Sequence, residues 1–373
     1  MKKAAKDFLL ELLAIPSPTG FEIEGQRKWA ERMRFVADRV ENDAYGSAWA
    51  ALDPAEERQE DPEHPNPLGL PFTVLLEAHA DEIGFMIKHV TGEGFLHVDR
   101  IGGSDPAVAR ARRVSLLGDK GPVFGVIGHT AIHLRERNER NSEKAPEMHE
   151  LYVDVGAGSR KDVEKLGLRV GHPAVYADRA EMLGPRRLVG RALDNRIGGF
   201  ICAEVMERLA RGRRRPRVRV IALNSVQEET GGYGARMASY RLMPDVCVVL
   251  DVTHATDSPG IEAAKHGRIE LGAGPSITHG SSNHPLLVQK LMSVAKKLKI
   301  PFQHEASSHC SGTDTDSIFF QRTGIPSALV SIPLRYMHSV VEVIDLEDVE
   351  KSIDLLVGFV EGLKPDDDFA LKL

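Results

Sequence analysis

Cysteine is scarce in this sequence. Its 373 residues include three cysteines, Cys202, Cys247 and Cys310, which are widely spaced and form no paired motif. A disulfide framework and a cysteine zinc site both need matched cysteines, so neither is indicated. Unpaired cysteines are typical of a reducing compartment, and we expect the protein to be cytoplasmic.

Long hydrophobic runs are also missing. No apolar stretch approaches the roughly 18 residues that a membrane-spanning helix needs. The amino-terminal segment Met1–Ala14 places basic residues before leucines, but Asp7 and Glu11 interrupt the leucines at helical spacing. This pattern predicts an amphipathic helix rather than a signal peptide, so no membrane partner is expected.

Positive charge is not in excess. The formal net charge is −6 and the sequence pI is about 6.2, which gives the chain no general attraction to nucleic acid or to anionic membranes. The one basic run, Arg211–Arg219, follows a helical pattern and precedes a strand. A solvated helix end that compensates the helix dipole explains this run better than a phosphate-binding patch.

The length of the chain favours two domains, and an apolar fraction of 42% can bury both cores. From Asp194 onward, helical and strand patterns alternate, which is typical of a mainly parallel sheet sandwiched by helices. From Ile83, short alternating stretches separated by glycines indicate a small all-β domain. The predicted fold is an α/β domain, residues 1–81 and 184–373, interrupted by an inserted, barrel-like β domain at 82–183.

Two polar stretches interrupt these patterns. Pro54–Pro67 is too polar and proline-rich to join a core, and we interpret it as a mobile loop between neighbouring strands, with no catalytic part. Arg135–Glu150 is interpreted as a loop within the β domain.

Two adjacent glutamates, Glu228 and Glu229, stand where an apolar segment meets glycines. Val218–Val226 is predicted to be a buried strand, so the pair is expected at the carboxyl end of a sheet strand, where active sites of α/β sheets lie. Period-two alternation would turn the two side chains in different directions. One could hold a metal ion while the other works as a base.

Ionisable residues recur at the other predicted strand ends. Besides the glutamate pair, these are His79, Asp81, Asp194, Asp251 and His338. Mixed nitrogen and oxygen donors suit zinc, cobalt or manganese better than calcium or magnesium. Taken singly each is weak evidence, because a lone histidine is more often structural and Asp194 could cap a helix.

The set gains weight from a resemblance that runs in order across nearly the whole chain. Six segments are similar to successive motifs of the tetrahedral metallo-aminopeptidases, a family that includes glutamyl and deblocking aminopeptidases and endoglucanase-named relatives. The segments are His79–Gly84, Ala192–Arg196, Val226–Glu229, Asp251–Asp257, Ser311–Asp314 and Arg335–Ser339. The resemblance implies a co-catalytic zinc aminopeptidase-like α/β domain with an inserted β-barrel-like domain.

The resemblance also implies a ligand set for two divalent metal ions, with zinc favoured over cobalt or manganese. Asp194 is expected to bridge the two ions. His79 and Asp251 would complete one site, and Glu229 and His338 the other. A bridging group must be a carboxylate, because its two oxygens can bind two cations and its charge offsets their repulsion.

Glu228 is then expected to be the general base that takes a proton from a water held between the metals. Asp81 lies two residues from His79 on the same side of an extended segment, where its carboxylate can accept from the second ring nitrogen of the imidazole. The implied reaction is hydrolysis of the N-terminal peptide bond of short peptides with a free N-terminus. The residues alone indicate only metal-assisted hydrolysis.

The resemblance further implies a homo-oligomer, with a dodecamer built from dimers as one form and the β domain as assembly surface. A glycoside hydrolase and a non-catalytic relative are the alternatives. Ser307–Asp316 is expected to form an active-site loop, although the same residues suit a strand-to-helix turn. The preferred N-terminal residue of the substrate stays open.

Overall fold

The computed structural model describes residues 1–54, 71–134 and 145–372. The predicted Pro54–Pro67 loop lies outside the described residues except for its first residue. The same holds for much of the predicted loop Arg135–Glu150, whose described end forms a 3₁₀ turn at Met148–Glu150.

Helices of very different length occur in the described part of the chain. They are α1 (Lys3–Ala14), α2 (Ile23–Met33), α3 (Pro106–Ala109), α4 (Arg160–Lys165), α5 (Leu193–Ala210), α6 (Tyr233–Leu242), α7 (Ala263–His266), α8 (Pro285–Leu298), α9 (Thr315–Ile318) and α10 (Leu346–Glu361). Over the described residues, no helix combines the length and apolar character that crossing a membrane requires.

The strands of the described segments fall into three sheets. In chain order they are β1 (Arg39–Asn42), β2 (Ala48–Leu52), β3 (Thr73–His79), β4 (Gly84–Val90), β5 (Leu96–Ile101), β6 (Arg113–Gly118), β7 (Gly121–Gly128), β8 (Tyr152–Asp154), β9 (Pro173–Tyr176), β10 (Glu181–Leu183), β11 (Arg187–Gly190), β12 (Arg219–Ser225), β13 (Val246–His254), β14 (Ser276–Gly280), β15 (Gln303–Ser307), β16 (Ser327–Leu334) and β17 (Glu342–Asp345).

The main sheet has eight strands in the order β1-β2-β12-β3-β13-β16-β14-β15. Its central strands β12, β3, β13 and β16 run parallel, and antiparallel pairs lie towards its edges. The predicted mainly parallel sheet is confirmed. Strands β2 and β3 are not neighbours, however, because β12 lies between them, so the prediction that the Pro54–Pro67 loop joins neighbouring strands was wrong.

Helices cover both faces of this sheet because each central strand is apolar on both sides. On β3, Val74 and Leu76 belong to an apolar cluster that also contains residues of α1, α2, α5, α8 and α10, whereas Leu75 belongs to a second cluster with residues of α6 and α9. All three side chains are fully buried. The resulting layers hold the carboxyl ends of the strands at one rigid edge.

A closed antiparallel barrel, in the order β4-β5-β8-β7-β6-β9, confirms the predicted β-barrel-like insert. Its interior is a separate apolar cluster, in which the rings of Phe85 and Tyr176 meet edge to face at 5.4 Å. All six strands lie between residues 82 and 183. The division of domains at these two positions stays a prediction, and β10 pairs with β11, which pairs with β17, in a small third sheet.

Candidate metal centre

The carboxyl edge of the main sheet gathers the predicted site residues. His79 is the last residue of β3, and Asp251 lies near the end of β13. Asp194 lies in the first turn of α5, and His338 follows β16 with a left-handed backbone φ of 60°. Parallel strands end at the same edge, so segments distant in sequence converge there.

Two groups of side chains could each hold a metal ion. One comprises His79, Asp194 and Asp251, and the other comprises Asp194, Glu229 and His338; within each group the ligand atoms lie within 4.8 Å of one another. Asp194 belongs to both. Its Oδ1 lies 3.2 Å from His79 Nε2, and its Oδ2 lies 3.3 Å from His338 Nε2. The structure therefore brings together all five residues that the sequence analysis predicted as metal ligands.

Asp194 does not cap its helix. The cap position of α5 is Ala192, whose side chain makes no capping hydrogen bond, and Asp194 itself has non-helical backbone angles. The next residue, Asn195, anchors the turn instead, since its Oδ1 accepts from the Gly198 N–H at 3.0 Å and its Nδ2 donates to the Leu250 carbonyl at 2.7 Å. The Asp194 carboxylate can therefore face the imidazoles of His79 and His338.

The glutamate pair lies on a turn, not on a strand. Strand β12 ends at Ser225, and Gln227 adopts a left-handed φ of 62°. The prediction that strand alternation separates the two side chains was therefore wrong, although they do diverge. Glu228 Oε2 lies 3.8 Å from His79 Nε2, whereas Glu229 Oε2 lies 3.5 Å from His338 Nε2.

Asp81 is fully buried and supports this turn. Its two carboxylate oxygens accept from the backbone N–H groups of Glu228 at 3.0 Å and Glu229 at 3.1 Å, and the Thr19 hydroxyl donates at 2.8 Å. The carboxylate also lies 3.4 Å from His79 Nδ1, as the sequence led us to expect, but the Asp81 carbonyl oxygen is nearer, at 3.2 Å.

Sequence reasoning missed Glu342. This buried carboxylate on β17 accepts from the backbone N–H groups of Leu193 at 2.8 Å, Asp194 at 3.3 Å and His338 at 2.9 Å. It thus fixes the backbone beside ligands of both groups. The only signal in the sequence is a lone acid within the apolar stretch Val340–Ile344.

The site concentrates negative charge in a buried place. Burial raises the pKa of Glu228 to about 9, and nearby carboxylates add to the rise. Burial likewise raises the pKa of Asp251 to about 8, and Asp194 adds to it. Burial would also raise the pKa of Asp194, but hydrogen bonds from His338 and His79 hold that pKa below its usual range. Cations bound among these groups would relieve this repulsion.

The donor set fits divalent transition metals. Imidazole nitrogens and carboxylate oxygens are mixed, and Glu229 Oε1 is buried without a hydrogen-bond partner among the described residues. Gly103, which follows β5 of the barrel, lies against the His338 ring; a Cβ at this glycine would come within 2.4 Å of His338 Nδ1. Any larger residue at position 103 would collide with the His338 ring, so the position of this ligand depends on the glycine.

A cavity of about 760 Å³ opens over these groups. Ser311, Gly312, Thr313 and Asp316 help to line it, so the predicted loop Ser307–Asp316 reaches the site. A larger cavity of about 1850 Å³ lies near the opposite edge of the sheet and contains none of the predicted site residues.

Comparison with known proteins agrees with this geometry. The model of the family described as M42 glutamyl aminopeptidase matches residues 70–355. The chain is 34% identical to the lysyl aminopeptidase of Pyrococcus furiosus over 364 residues, 97% of this chain and 98% of that protein.

Two solved structures extend the comparison. An aminopeptidase from the archaeon Desulfurococcus kamchatkensis superposes with a TM-score of 0.87 at 32% identity, covering 97% of this chain and 96% of that one. The TET1 peptidase of Pyrococcus horikoshii, which can assemble into a tetrahedron or a large octahedral shell, gives 0.81 at 26% identity, covering 96% and 100%. This chain belongs to the M42 glutamyl aminopeptidase family and is an aminopeptidase that acts on peptide bonds.

Proposed function

We propose that the protein is a two-metal aminopeptidase that removes the N-terminal residue of short peptides. The Asp194 carboxylate carries the proposal, because one of its oxygens faces His79 and the other faces His338. A carboxylate placed between two ligand groups suits a bridging ligand, since each of its oxygens can serve one ion.

Five residues would hold the two ions. His79 and Asp251 would bind the first together with Asp194, and Glu229 and His338 would bind the second with the same aspartate. Zinc suits this nitrogen and oxygen set best, while cobalt and manganese are also compatible with it. Bound there, the ions supply Lewis acidity, which acidifies water and stabilises negative charge on the substrate carbonyl oxygen.

Glu228 acts as the general base. Its carboxylate takes a proton from the water that attacks the carbonyl carbon of the first peptide bond, and then delivers a proton to the departing amine nitrogen. Burial raises the pKa of Glu228. Cations in the neighbouring site would oppose this rise and bring the pKa of Glu228 towards the neutral range, in which one group can both accept and donate a proton.

Asp81 and Glu342 position these groups. Asp81 holds the backbone of the glutamate turn, which sets where the Glu228 carboxylate can reach. Glu342 holds the backbone at Asp194 and His338, and thereby limits the separation of the two ligand groups.

The substrate must present a free α-amino group to a cavity rich in carboxylates, which favours the N-terminus of a peptide. Family membership does not fix the side chain of the first residue, since the family is described by glutamyl activity while the Pyrococcus furiosus relative is a lysyl aminopeptidase. Residues that line the cavity outside the ligand groups are expected to set this preference.

The protein is also proposed to be a cytoplasmic homo-oligomer, a dodecamer built from dimers, assembled through the barrel. The outward-facing Phe124 and Val126 on β7 support this role, since they are 61% and 39% exposed. The three cysteines are free, with Cys202 and Cys247 buried, which agrees with a reducing compartment.

Metal analysis combined with peptide hydrolysis tests the function. We expect two equivalents of transition metal per chain, and release of the first amino acid from an unblocked peptide but not from its acetylated form. Equal cleavage of both peptides, or a protein that binds no transition metal, contradicts the proposal. Release of reducing sugar from a β-glucan, without peptide cleavage, would support the glycoside hydrolase alternative; turnover of neither would support a non-catalytic relative.

A further inference from the structure

The cavity above the ligand groups contains a carboxylate for which the proposed mechanism has no use. Glu305, on β15, lines this cavity and is held by three hydroxyl groups. Its Oε1 accepts from Thr253, and its Oε2 accepts from Ser276 at 2.8 Å and Thr278 at 3.1 Å. These donors lie on strands β13 and β14, so the carboxylate has a fixed position on the sheet.

The charge of Glu305 is not compensated within the described part of the chain. It forms no ion pair with a described lysine or arginine, and neither residue type occurs among the described residues that line the cavity. A carboxylate offers about four acceptor positions. Three hydroxyl donors therefore leave one position for a further donor.

Strand β13 connects Glu305 to the ligand groups. Asp251 and Thr253 are two residues apart on β13 and share one face, while Val252 points into the apolar core on the other. Residues two apart on a strand are separated by roughly 7 Å. Thr253 donates to Glu305, so the path from a metal ligand to this carboxylate is short. The four-carbon stem of a lysine side chain covers a distance of this order.

We propose that Glu305 is the specificity determinant that receives a cationic side chain, that of lysine or arginine, at the N-terminus of the substrate. The inference rests on the proposed aminopeptidase function and adds the class of residue removed. The α-amino group would bind at the ligand groups, and the side-chain cation would donate to the open acceptor position of Glu305. A glutamate at the substrate N-terminus is repelled by the same charge.

Among the described residues, Asp316 is the other carboxylate that lines the cavity outside the metal cluster and Glu228. Its Oδ2 accepts from the Gly312 N–H at 2.9 Å within the loop, so it stabilises the conformation of that loop. Glu305 lies on a strand with hydroxyl donors on two others, which is the more rigid support for selecting one side chain over another.

The test compares lysyl, norleucyl and glutamyl p-nitroanilides with the metal-loaded full-length protein. Lysine and norleucine have similar length and differ in charge. A hydrogen bond to a charged group changes kcat/KM by about tenfold or more, so we expect at least that preference for lysyl over norleucyl substrate. Glutamyl substrate should be the poorest of the three.

The Glu305→Gln variant should lower the ratio of lysyl to norleucyl kcat/KM by about tenfold, and Glu305→Asp should restore part of it. A general loss of active protein lowers both kcat/KM values by the same factor, so it does not change their ratio. Glu270→Gln is the matched control, because Glu270 lies near the same sheet edge, pairs with Arg268 and does not line the cavity. Its ratio should equal that of the parent.

The outcomes distinguish a failure of the Glu305 proposal from a failure of the proposed aminopeptidase function. Hydrolysis of norleucyl substrate without a lysine preference, or an unchanged ratio in Glu305→Gln, overturns the role of Glu305 and leaves the aminopeptidase function standing. Hydrolysis of none of the three substrates by the metal-loaded parent contradicts the proposed function itself.

Discussion

Glu342 accepts a hydrogen bond from the backbone N–H of His338 at 2.9 Å, and the same carboxylate accepts from the N–H of Asp194. One side chain therefore sets the spacing of ligands that belong to different segments. In Glu342→Gln the amide has a single acceptor oxygen, so at least one of these N–H groups loses its partner.

We expect Glu342→Gln to weaken metal binding by about 10- to 100-fold, as the loss of supporting hydrogen bonds does at other metal sites. Competition with a chromogenic chelator measures this affinity. Glu347→Gln is the control, since Glu347 is an exposed residue at the start of α10 that pairs with Arg186. An affinity equal to that of the parent would show that Glu342 has no part in positioning the ligands.

Glu228→Gln should keep both metal ions and lose activity. The amide cannot accept a proton from water, and removal of a general base reduces kcat by about 10²- to 10⁴-fold. Metal content by elemental analysis and kcat on an unblocked peptide are measured on the same sample. Retention of most of the activity would remove Glu228 from the mechanism.

Asp194→Ala and His338→Ala should differ in metal content. Asp194 belongs to both ligand groups and His338 to one. We therefore expect Asp194→Ala to lose both ions and His338→Ala to keep the ion held by His79 and Asp251. Equilibrium dialysis followed by elemental analysis gives the stoichiometry of each variant. Equal loss in the two variants would contradict a bridging role for Asp194.

Stability should depend on pH through Glu22. Burial raises the pKa of Glu22 from 4.5 to about 7, and nearby Asp81 adds to this rise. The folded state thus binds more protons than the unfolded state between these pH values, and the free energy of unfolding falls as pH rises through this window.

The Glu22→Gln variant lacks this titration. We expect it to be more stable than the parent by about 1–3 kcal/mol above pH 7 and equally stable below about pH 4.5. Thermal unfolding at a series of pH values, with metal held constant, measures the difference. Glu24→Gln is the control, because Glu24 lies in the first turn of α2, which Glu22 precedes at the cap position. The same dependence of stability on pH in all three proteins would refute the prediction.

The sequence predicted the ligand set well for a simple physical reason. Parallel strands bring their carboxyl ends to one edge, so acids and histidines that follow apolar strands meet even when they are far apart in the chain. His79 and Asp251 illustrate this, on adjacent strands β3 and β13. The barrel was predictable because short alternating stretches with glycines differ from the helical pattern around them.

Other features depend on contacts that local patterns do not encode. The left-handed Gln227 takes the glutamate pair off the strand, so alternation could not describe their separation. Glu342 accepts from the distant backbone N–H groups of Leu193 and Asp194, and Glu305 accepts from hydroxyl groups on β13 and β14. Such partners have no signature in sequence spacing. The insertion of β12 between β2 and β3 is likewise a property of the whole sheet.

The sharing of Asp194 between two ligand groups has a consequence for protein synthesis. A chain that has left the ribosome only as far as β13 contains one complete ligand group but neither His338 nor Glu342. On the proposed mechanism, the catalytic pair of ions can be bound only after β16 and β17 have joined the fold. The enzyme therefore cannot degrade peptides while its earlier strands, up to β13, are being made.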